Sequence, residues 1–288
     1  MGFYLTAVLL GLGFASLALG IFISMRIFNI PDITTDGSFT LGGAVTSVLL
    51  LHNVSLPVIF VTAFISGAAA GCITGIIHTR LKVNALLAGI LVMTALYSVN
   101  LALMGRSNIP LTDVPTVFTI GSFFSSEVSQ QAFVLIFFVL LTWQLIGWIL
   151  KTDFGLAMRA TGNNESMIRS MGVNTTRMKI TGLGLANGLT ALSGFLITQI
   201  QGFADINMGI GIVILGLGSV MIGEIFAKAF RIRSIVWQLL GVIAGSIIFR
   251  LILAFALQVG IDPMYLKLVV AAFVLVVVSI PNLKRAHD

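Results

Sequence analysis

Long apolar runs separated by short polar connections form the dominant pattern along this chain. Crossing a hydrocarbon layer about 30 Å thick takes about 20 helical residues at 1.5 Å each. Eight runs approach or exceed that length: Phe3–Met25, Val58–His78, Asn84–Met104, Gln131–Leu150, Ile180–Ile200, Gly209–Ala227, Ser234–Leu257 and Met264–Ile280. Two weaker runs, Ser38–Leu51 and Val114–Phe124, are typical of half-spans or of re-entrant or interfacial segments. The pattern predicts an all-α, polytopic membrane helix bundle with about eight to ten transmembrane segments, some broken or re-entrant.

The composition agrees with a protein that lives in lipid. Apolar residues make up 58% of the chain and charged residues 9%, and the mean hydropathy is +1.09. A soluble domain is about one quarter charged, so this chain has too few charges to cover itself in water. The lone Cys72 has no second cysteine to pair with, which excludes an internal disulfide framework. We expect one transmembrane domain over residues 1–288, with the first apolar run retained as a helix.

Basic residues concentrate in the connections on one side of the predicted bundle. Thirteen of the 16 lysines and arginines fall there: Arg26, Arg80, Lys82, Lys151, Arg159, Arg169, Arg177, Lys179, Lys228, Arg231, Arg233, Lys284 and Arg285. Arg106 and Lys267 fall on the opposite side, and Arg250 lies within a span. Because cytoplasmic loops carry an excess of Lys and Arg, the basic side is predicted to be cytoplasmic. The net charge of +6 then indicates membrane lipid as a partner, and no nucleic acid.

The side of the amino terminus depends on Ser38–Leu51. If this run crosses the membrane, the amino terminus is outside and the carboxyl terminus is cytoplasmic. If the run is re-entrant, both termini are cytoplasmic. The pattern leaves the two arrangements open.

Signatures of catalysis are absent from the sequence. No Gly-Lys dipeptide occurs, which excludes a nucleotide-binding P-loop. His52, His78 and His287 are far apart, and neither a His-Glu-x-x-His nor a Gly-x-Ser-x-Gly motif is present. We therefore expect no catalytic residues, no bound metal and no cofactor on this chain. If ATP drives it, another chain must hydrolyse that ATP.

The connection at residues 151–179 is the long hydrophilic segment of the sequence. Thr152–Ala160 is predicted to extend a helix beyond the bilayer, and Gly162 is predicted to break it. Asn163 and Asn164 follow, and asparagine side chains cap the free N–H groups at helix starts. The segment therefore predicts a turn that leads into a second, short helix.

That short helix is predicted over Ser166–Met171. Glu165 stands in its first turn, where the helix dipole favours an anion, and Gly172 is a natural C-terminal stop. Three apolar side chains share one face of this helix: Met167, Ile168 and Met171. A face of this kind cannot be buried within its own loop. It either docks on a partner, or lies against the protein's own inner surface or the lipid headgroups, and both interpretations stay open.

Three parts of the sequence together carry a resemblance to a known family. They are Arg159–Glu165 with Ser170–Asn174, Phe28–Ile30 with Asp36–Ala44, and Asn84–Ile90 with Met93–Ser98. These stretches resemble the permease subunits of the branched-chain-amino-acid and ribose class of bacterial ABC importers. The third is similar to a subgroup paired with lipoprotein-type binding proteins, some of which handle aromatic amino acids. One departure is Ser166, where many relatives carry proline at the start of the short helix.

The resemblance implies a single permease domain over residues 1–288 in the bacterial inner membrane. It also implies that the cytoplasmic loop at 151–179 docks into a groove on an ATP-binding subunit. The residues expected to couple to that ATPase are Gly155, Arg159, Gly162, Asn163, Asn164, Glu165, Met167, Ile168, Met171 and Gly172. The implied partners are a second permease subunit in a homodimer, two ABC ATPase subunits that hold ATP and Mg²⁺, and an extracytoplasmic solute-binding protein or lipoprotein.

Two polar interruptions, Asn29–Ser38 and Gln201–Gly211, each lead into an apolar run. In transporters, irregular backbone at membrane depth is tolerated where it lines a cavity. An interpretation as plain loops is equally open, and the match between the two is too loose to establish an internal repeat. The candidates for a translocation path are Asp36, Gly37, Ser38, Asn100 and Arg250.

Arg250 is the most unusual of these candidates. An arginine at a helix centre costs about 2.5–3.5 kcal/mol on insertion scales, so it should find a partner. Asn100 lies at a similar depth in an earlier span and is the candidate partner. Arg250 is about 24 Å from Ser234 along the helix, so snorkelling towards the outer headgroups is the alternative. Glu224, near the inner end of its span, is predicted to pair with loop cations.

An ion-coupled secondary transporter is the alternative function. It would be expected to carry an acidic residue deep in a span, whereas Asp32, Asp36 and Asp205 all fall in predicted loops or breaks. In an importer of the resembled class the external binding protein supplies selectivity, so the solute is not readable from this chain.

Overall fold

A computed structural model describes residues 2–112, 114–119 and 126–285. The chain runs through twelve α-helices among these residues: α1 (Gly2–Gly13), α2 (Ala15–Ile21), α3 (Thr34–Leu51), α4 (Leu56–Arg80), α5 (Ala85–Met104), α6 (Glu127–Lys151), α7 (Asp153–Asn163), α8 (Glu165–Ser170), α9 (Thr175–Gln201), α10 (Ile212–Ala229), α11 (Ile235–Gln258) and α12 (Leu266–Arg285). A π-helical turn over Phe22–Ile27 continues α2, and a 3₁₀ turn over Pro263–Tyr265 precedes α12. Two short strands, β1 (Asn108–Pro110) and β2 (Phe203–Asp205), pair antiparallel.

Seven helical segments of the described chain are long and apolar enough to cross a membrane: Gly2–Ile27, Leu56–Arg80, Ala85–Met104, Glu127–Lys151, Thr175–Gln201, Ile212–Ala229 and Ile235–Gln258. The apolar stretch Pro263–Val277 is shorter, and α3 begins with polar residues. These helices confirm the predicted all-α, polytopic membrane bundle. The β1–β2 ribbon is an addition that the sequence pattern did not predict.

Helix α9 lies at the centre of the bundle, with almost every side chain from Gly182 to Gln199 buried. Glycines on its neighbours allow the backbones to approach closely. A Cβ added at Gly42 of α3 or at Gly71 of α4 would overlap the carbonyl oxygen of Ala191 or Leu183, respectively. In lipid, such close van der Waals packing between small residues holds helices together.

The weaker run Ser38–Leu51 forms most of α3 and returns the chain across the bundle. The Ser38 hydroxyl reaches Asn187 in the middle of α9, whereas Gly43 lies against Thr198, near the far end of that helix. Helix α3 therefore runs alongside α9 towards its Gln201 end and does not fold back. This helix is not among the segments long and apolar enough to cross a membrane, so the side of the amino terminus stays a prediction.

The other weak run, Val114–Phe124, is only partly described. Residues 114–119 form no helix, and their turn includes a hydrogen bond from Thr119 N to the Thr116 carbonyl, 3.0 Å long. Residues 120–124 lie outside the described part of the chain.

Candidate functional site

The loop at 151–179 folds into two helices, α7 and α8, between the spans α6 and α9. The predicted extension of a helix beyond the bilayer is wrong in one respect, because α7 is separate from α6. Thr152 adopts an extended conformation, with φ −69° and ψ 167°, and ends α6. Its hydroxyl then accepts from Gly155 N at 3.4 Å and caps α7. Gly155 allows α7 to fold back, since a Cβ there would overlap the Ile149 carbonyl.

Gly162 does not break the helix, as the sequence had predicted, because α7 continues through it to Asn163. Its function is close packing. A Cβ at Gly162 would overlap the carbonyl oxygen of Ile27, where the π-helical turn of the first span ends. Asn29 fixes this contact, its Nδ2 donating to the Gly162 carbonyl at 3.1 Å. The loop is thereby attached to the break after the first span.

Capping residues at both ends define the short helix α8. The Asn164 side chain accepts from Met167 N at 3.1 Å, which confirms asparagine as the N-cap. At the other end Gly172 has φ +88°. Val173 N donates to the Ile168 carbonyl at 3.3 Å and Gly172 N to the Arg169 carbonyl at 3.1 Å, the two bonds of a Schellman motif. Gly172 is therefore the predicted stop.

Glu165 ties α8 to the start of α9. Its carboxylate accepts from Arg169 at 2.7 Å, from Lys179 at 2.5 Å and from the Thr175 hydroxyl at 3.1 Å. The Lys179 ammonium, which donates a hydrogen bond to the carboxyl group, holds the pKa of Glu165 below its ordinary value. The orientation of α8 relative to α9 is therefore fixed by charge.

The apolar face of α8 is uncovered. Met167 is 57% exposed and Met171 68% exposed, Ile168 is half-buried, and the helix has no buried residue. Met167 and Met171 therefore do not lie against the protein's own inner surface. The polar residues of the loop build its shape, and its apolar residues remain available for contact.

Cations surround the base of this loop. Arg26, in the π-helical turn, pairs with Glu224 at 2.9 Å, and Lys228 approaches the same carboxylate at 3.7 Å. The predicted pairing of Glu224 with loop cations is confirmed. Arg159 of α7 lines a cavity of about 230 Å³ together with Arg26, and its buried Nε has no hydrogen-bond partner among the described residues.

A buried polar chain joins the break at residues 28–33 to the centre of α9. Asn187 Nδ2 donates to Asp32 Oδ2 at 2.6 Å, and the Ser38 hydroxyl donates to Asn187 Oδ1 at 2.8 Å. The second oxygen of Asp32 accepts from Thr34 N at 2.9 Å, at the start of α3. The sequence analysis missed Asn187, although an asparagine among the apolar residues of a span is a usable signal.

Asp36 holds the start of α10. Its two carboxylate oxygens accept from Gly211 N at 2.8 Å and from Val213 N at 2.9 Å, which satisfies free N–H groups at that helix terminus. The expectation that Asp36 lies in a loop or break is wrong, because it stands in the first turn of α3 and is buried. Asp205 lies in strand β2 instead of a loop, whereas Asp32 lies in the break, as expected.

The candidate path residues fall into three places. Asn100 donates to the Gly37 carbonyl at 3.3 Å, and both border a small cavity with Asp36. Ser38 faces α9 instead. The predicted pairing of Arg250 with Asn100 is wrong, because equal depth in two spans does not place two side chains on facing surfaces. The Arg250 guanidinium lies 3.9 Å from the centroid of the Phe14 ring.

Within the described residues, no group of three or more His, Cys, Asp or Glu side chains could hold a metal ion.

Comparison with known proteins gives one family match over most of the chain. Residues 3–279 match the model of the branched-chain amino acid transport system permease component. A tyrosine transport system permease protein of Clostridioides difficile (strain R20291) is 39% identical over 267 residues, which cover 93% of this chain and 87% of that protein. An uncharacterized protein of Rickettsia prowazekii (strain Madrid E) is 33% identical over 289 residues, 99% of each chain.

One solved structure shares the fold. Its title describes an inward-facing conformation of a metal-chelate type ABC transporter, and it aligns with a TM-score of 0.50 at 13% identity. The alignment covers 98% of this chain and 85% of that one.

Proposed function

This chain belongs to the family of permease components of branched-chain amino acid transport systems, and on that premise we propose how it works in an ABC importer. As the permease subunit, it spans the membrane many times and does not itself carry out catalysis. We propose that two copies form a homodimer with the solute path between them. Two ATPase subunits would bind ATP and Mg²⁺, and an extracytoplasmic binding protein or lipoprotein would deliver the solute.

The uncovered face of α8 carries this proposal. Met167 and Met171 stay exposed on a helix whose caps and ion pairs hold it firmly in place. Rigid presentation of an apolar face suits docking into a groove of a partner, and methionine adapts well to such grooves. Most of the coupling residues predicted from the sequence build this helix or attach it to the first span and to α9, whereas Gly155 packs α7 against α6 and Arg159 lines the cavity beside Arg26. We assign the groove to the ATPase subunit.

Met167→Asp tests the coupling role. A charge on the apolar face should abolish co-purification of the ATPase and ATP-driven uptake, because the groove would have to bury a carboxylate. Since Met167 is exposed, we expect the free energy of unfolding to change by no more than about 0.5 kcal/mol. The matched control is Ser166→Asp, which adds the same charge one residue away, in the first turn, where an anion is tolerated.

Retained ATPase binding and uptake in Met167→Asp would refute the docking assignment. The topology has an independent check. We propose that the basic side, with α8 and the carboxyl terminus, is cytoplasmic in a bacterial cell membrane. A cysteine at Ile168, in a chain with Cys72→Ser, should react with impermeant reagents only from the inner side. Reaction only from the outer side would invert the protein and exclude the ATPase contact.

For the solute we propose an amino acid, with an aromatic one as the first to test. The 39%-identical relative is a tyrosine transport system permease protein, which supports this choice. Asp36, Gly37 and Asn100 would border the path, Ser38 would support its wall, and Arg250 would lie towards its outer end. The ion-coupled alternative is not favoured, because the matched family consists of permease components.

The solute assignment has its own experiment. The cognate binding protein would be purified and its thermal unfolding followed with each amino acid. A rise in the unfolding temperature with tyrosine or another aromatic amino acid is expected. A rise only with a sugar or a metal chelate would overturn the assignment and leave the coupling proposal intact.

A further inference from the structure

A cavity of about 320 Å³ lies where the α1–α2 junction, α3, α9, β2 and α11 meet. It is within the size range of small-molecule sites, at the lower end. Its walls combine aromatic rings with polar groups of both charges: Phe14, Phe39, Gln201, Asp205, Asn207 and Arg250. Nothing assigned so far to the coupling loop or to the Asp36 cluster involves this cavity.

Arg250 enters the cavity without a polar partner. It makes no hydrogen bond or ion pair with the described residues, and its Nε is buried and unpaired. The guanidinium lies over the Phe14 ring, 3.9 Å from the centroid. A partly buried cation of this kind is costly unless an anion accompanies it, and guanidinium matches a carboxylate through two parallel hydrogen bonds.

Asp205 supplies the opposite charge across the same space. Its carboxylate accepts from Asn207 N at 2.8 Å and from Asn108 Nδ2 at 3.3 Å, both of them neutral donors. Because a carboxylate offers about four acceptor positions, it retains capacity for an ammonium group. Asp205 and Arg250 line one cavity, and the described residues include no ion pair between them.

We propose that this cavity, which we call the Arg250 cavity, binds the solute as a zwitterionic α-amino acid with an aromatic side chain. The α-carboxylate pairs with Arg250, the α-ammonium group with Asp205, and the side chain packs against Phe14 and Phe39. A lipid phosphate fits less well, because Asp205 repels an anion that carries no accompanying cation. This inference rests on the proposed function and adds a stopping point for the solute within one subunit.

The position of the cavity suits a site loaded from outside. Gln201 and Thr175 are at opposite ends of α9, about 39 Å apart along the helix. Thr175 borders the basic loop, so on the proposed topology Gln201 and the cavity lie in the outer half of the protein. A solute released by the binding protein would meet this cavity before the centre of the membrane.

The test uses the complete complex of permease and ATPase subunits in proteoliposomes. The permease carries Gln201→Cys with Cys72→Ser, and an impermeant maleimide labels it from outside. Three probes are compared: L-tyrosine, tyramine, which lacks the carboxylate, and 3-(4-hydroxyphenyl)propionate, which lacks the ammonium group. We expect tyrosine to slow labelling at least about three-fold and the other two to have little effect, because each loses one ionic contact.

Substitutions then assign the contacts. Arg250→Gln and Asp205→Asn should each raise the half-protecting tyrosine concentration about ten-fold or more. Arg106→Gln, an exposed change elsewhere in the outer region, is the matched control and should behave as the unsubstituted cavity. If Arg250→Gln does not assemble, Arg250→Lys keeps the charge without the bidentate geometry and should give weaker but measurable protection.

Several outcomes would overturn the inference: no protection by tyrosine, equal protection by tyramine, or unchanged protection in both substituted cavities. Protection that follows the anionic phospholipid content of the vesicles instead of tyrosine would assign Arg250 to lipid. The proposed function fails differently, as a complex that shows no ATP-driven amino acid uptake. Protection by tyrosine in such a complex would keep the cavity and reject the importer.

Discussion

The loop helix α8 and the break at residues 28–33 use polar residues for opposite purposes. At α8 the polar groups are outside, where Asn164 and Glu165 shape a helix whose apolar face stays uncovered. At the break the polar groups are inside, where Asp32 and Asn187 bond to each other in the core. A polar group of α8 that loses its partner can form a hydrogen bond with water instead. A polar group at the break cannot, since no solvent replaces a lost partner in a packed core.

The range of the contacts differs as well. Glu165 bonds within its own loop and to the first turns of α9, whereas Asp32 and Asn187 are 155 residues apart in sequence. Exposed local contacts adjust one segment. Buried distant contacts determine which helices can be neighbours at all. Substitutions in the two regions should therefore differ in size and in what they disturb.

The largest effect is expected from Asn187→Leu. The substitution keeps a side chain of similar size but leaves Asp32 and Ser38 without their shared partner, at a cost of about 3 kcal/mol or more. Asn100→Leu is the matched control, since that buried asparagine donates one hydrogen bond, to Gly37, and its loss should cost about 1 kcal/mol. Thermal unfolding of the purified protein measures both. Equal losses of stability in the two variants would show that the Asp32–Asn187 hydrogen bond contributes no more than the Asn100–Gly37 hydrogen bond.

A smaller effect is expected where α7 of the loop contacts the π-helical turn of the first span. Gly162→Ala places a methyl group against the Ile27 carbonyl, and overpacking of this kind costs about 1–3 kcal/mol. Gly147→Ala is the control, because that helical glycine has only ordinary contacts around a new Cβ, the nearest at 3.5 Å. Alanine favours helix at both positions, so Gly147→Ala should be neutral or stabilising. Matching unfolding curves for the two variants would contradict close packing at Gly162.

The smallest effect concerns the charge that orients α8. Lys179 lowers the pKa of Glu165. The ionised carboxylate therefore contributes its full stabilisation of α8 above the ordinary pKa, and this stabilisation is lost as pH falls through the lowered pKa. Since Glu165 is partly exposed, its ion pairs contribute at most about 1 kcal/mol to the free energy of unfolding. An environment-sensitive fluorophore on Met171→Cys, with Cys72→Ser, should report loosening of α8 below the ordinary carboxyl range. Glu165→Gln should abolish that transition, and a transition that persists would assign it to another group.

The sequence predicted what depends on neighbouring residues. Apolar runs of about 20 residues gave the spans, and the Asn164 and Gly172 caps gave the ends of α8, because capping chemistry acts within a few positions. Helical spacing alone predicted that Met167, Ile168 and Met171 share one face, but not that this face is uncovered. The pairing of Glu224 with loop cations was predictable from neighbouring residues only for Lys228, four positions away, and not for its closer partner Arg26.

What depends on distant contacts was not predictable from the pattern. Gly162 was interpreted as a helix breaker because nothing local reveals that Ile27 packs against it. Asp36 was assigned to a break, since its role as a cap for α10 requires the knowledge that Gly211 is adjacent in space. Arg250 was matched to Asn100 by depth, but depth does not specify which way a side chain points around its helix.

The close contacts of α9 with α3 and α4 have a mechanical consequence. Glycines bring the Gly42 and Gly71 backbones against carbonyl oxygens of α9, which leaves no slack for one helix to slide along another. A displacement of α8 that reaches α9 through Lys179 would therefore move α3, α4 and α9 together as one rigid body. Any hinge about which these three helices turn would lie at the edges of the block, where neighbouring helices contact each other through side chains instead of backbones.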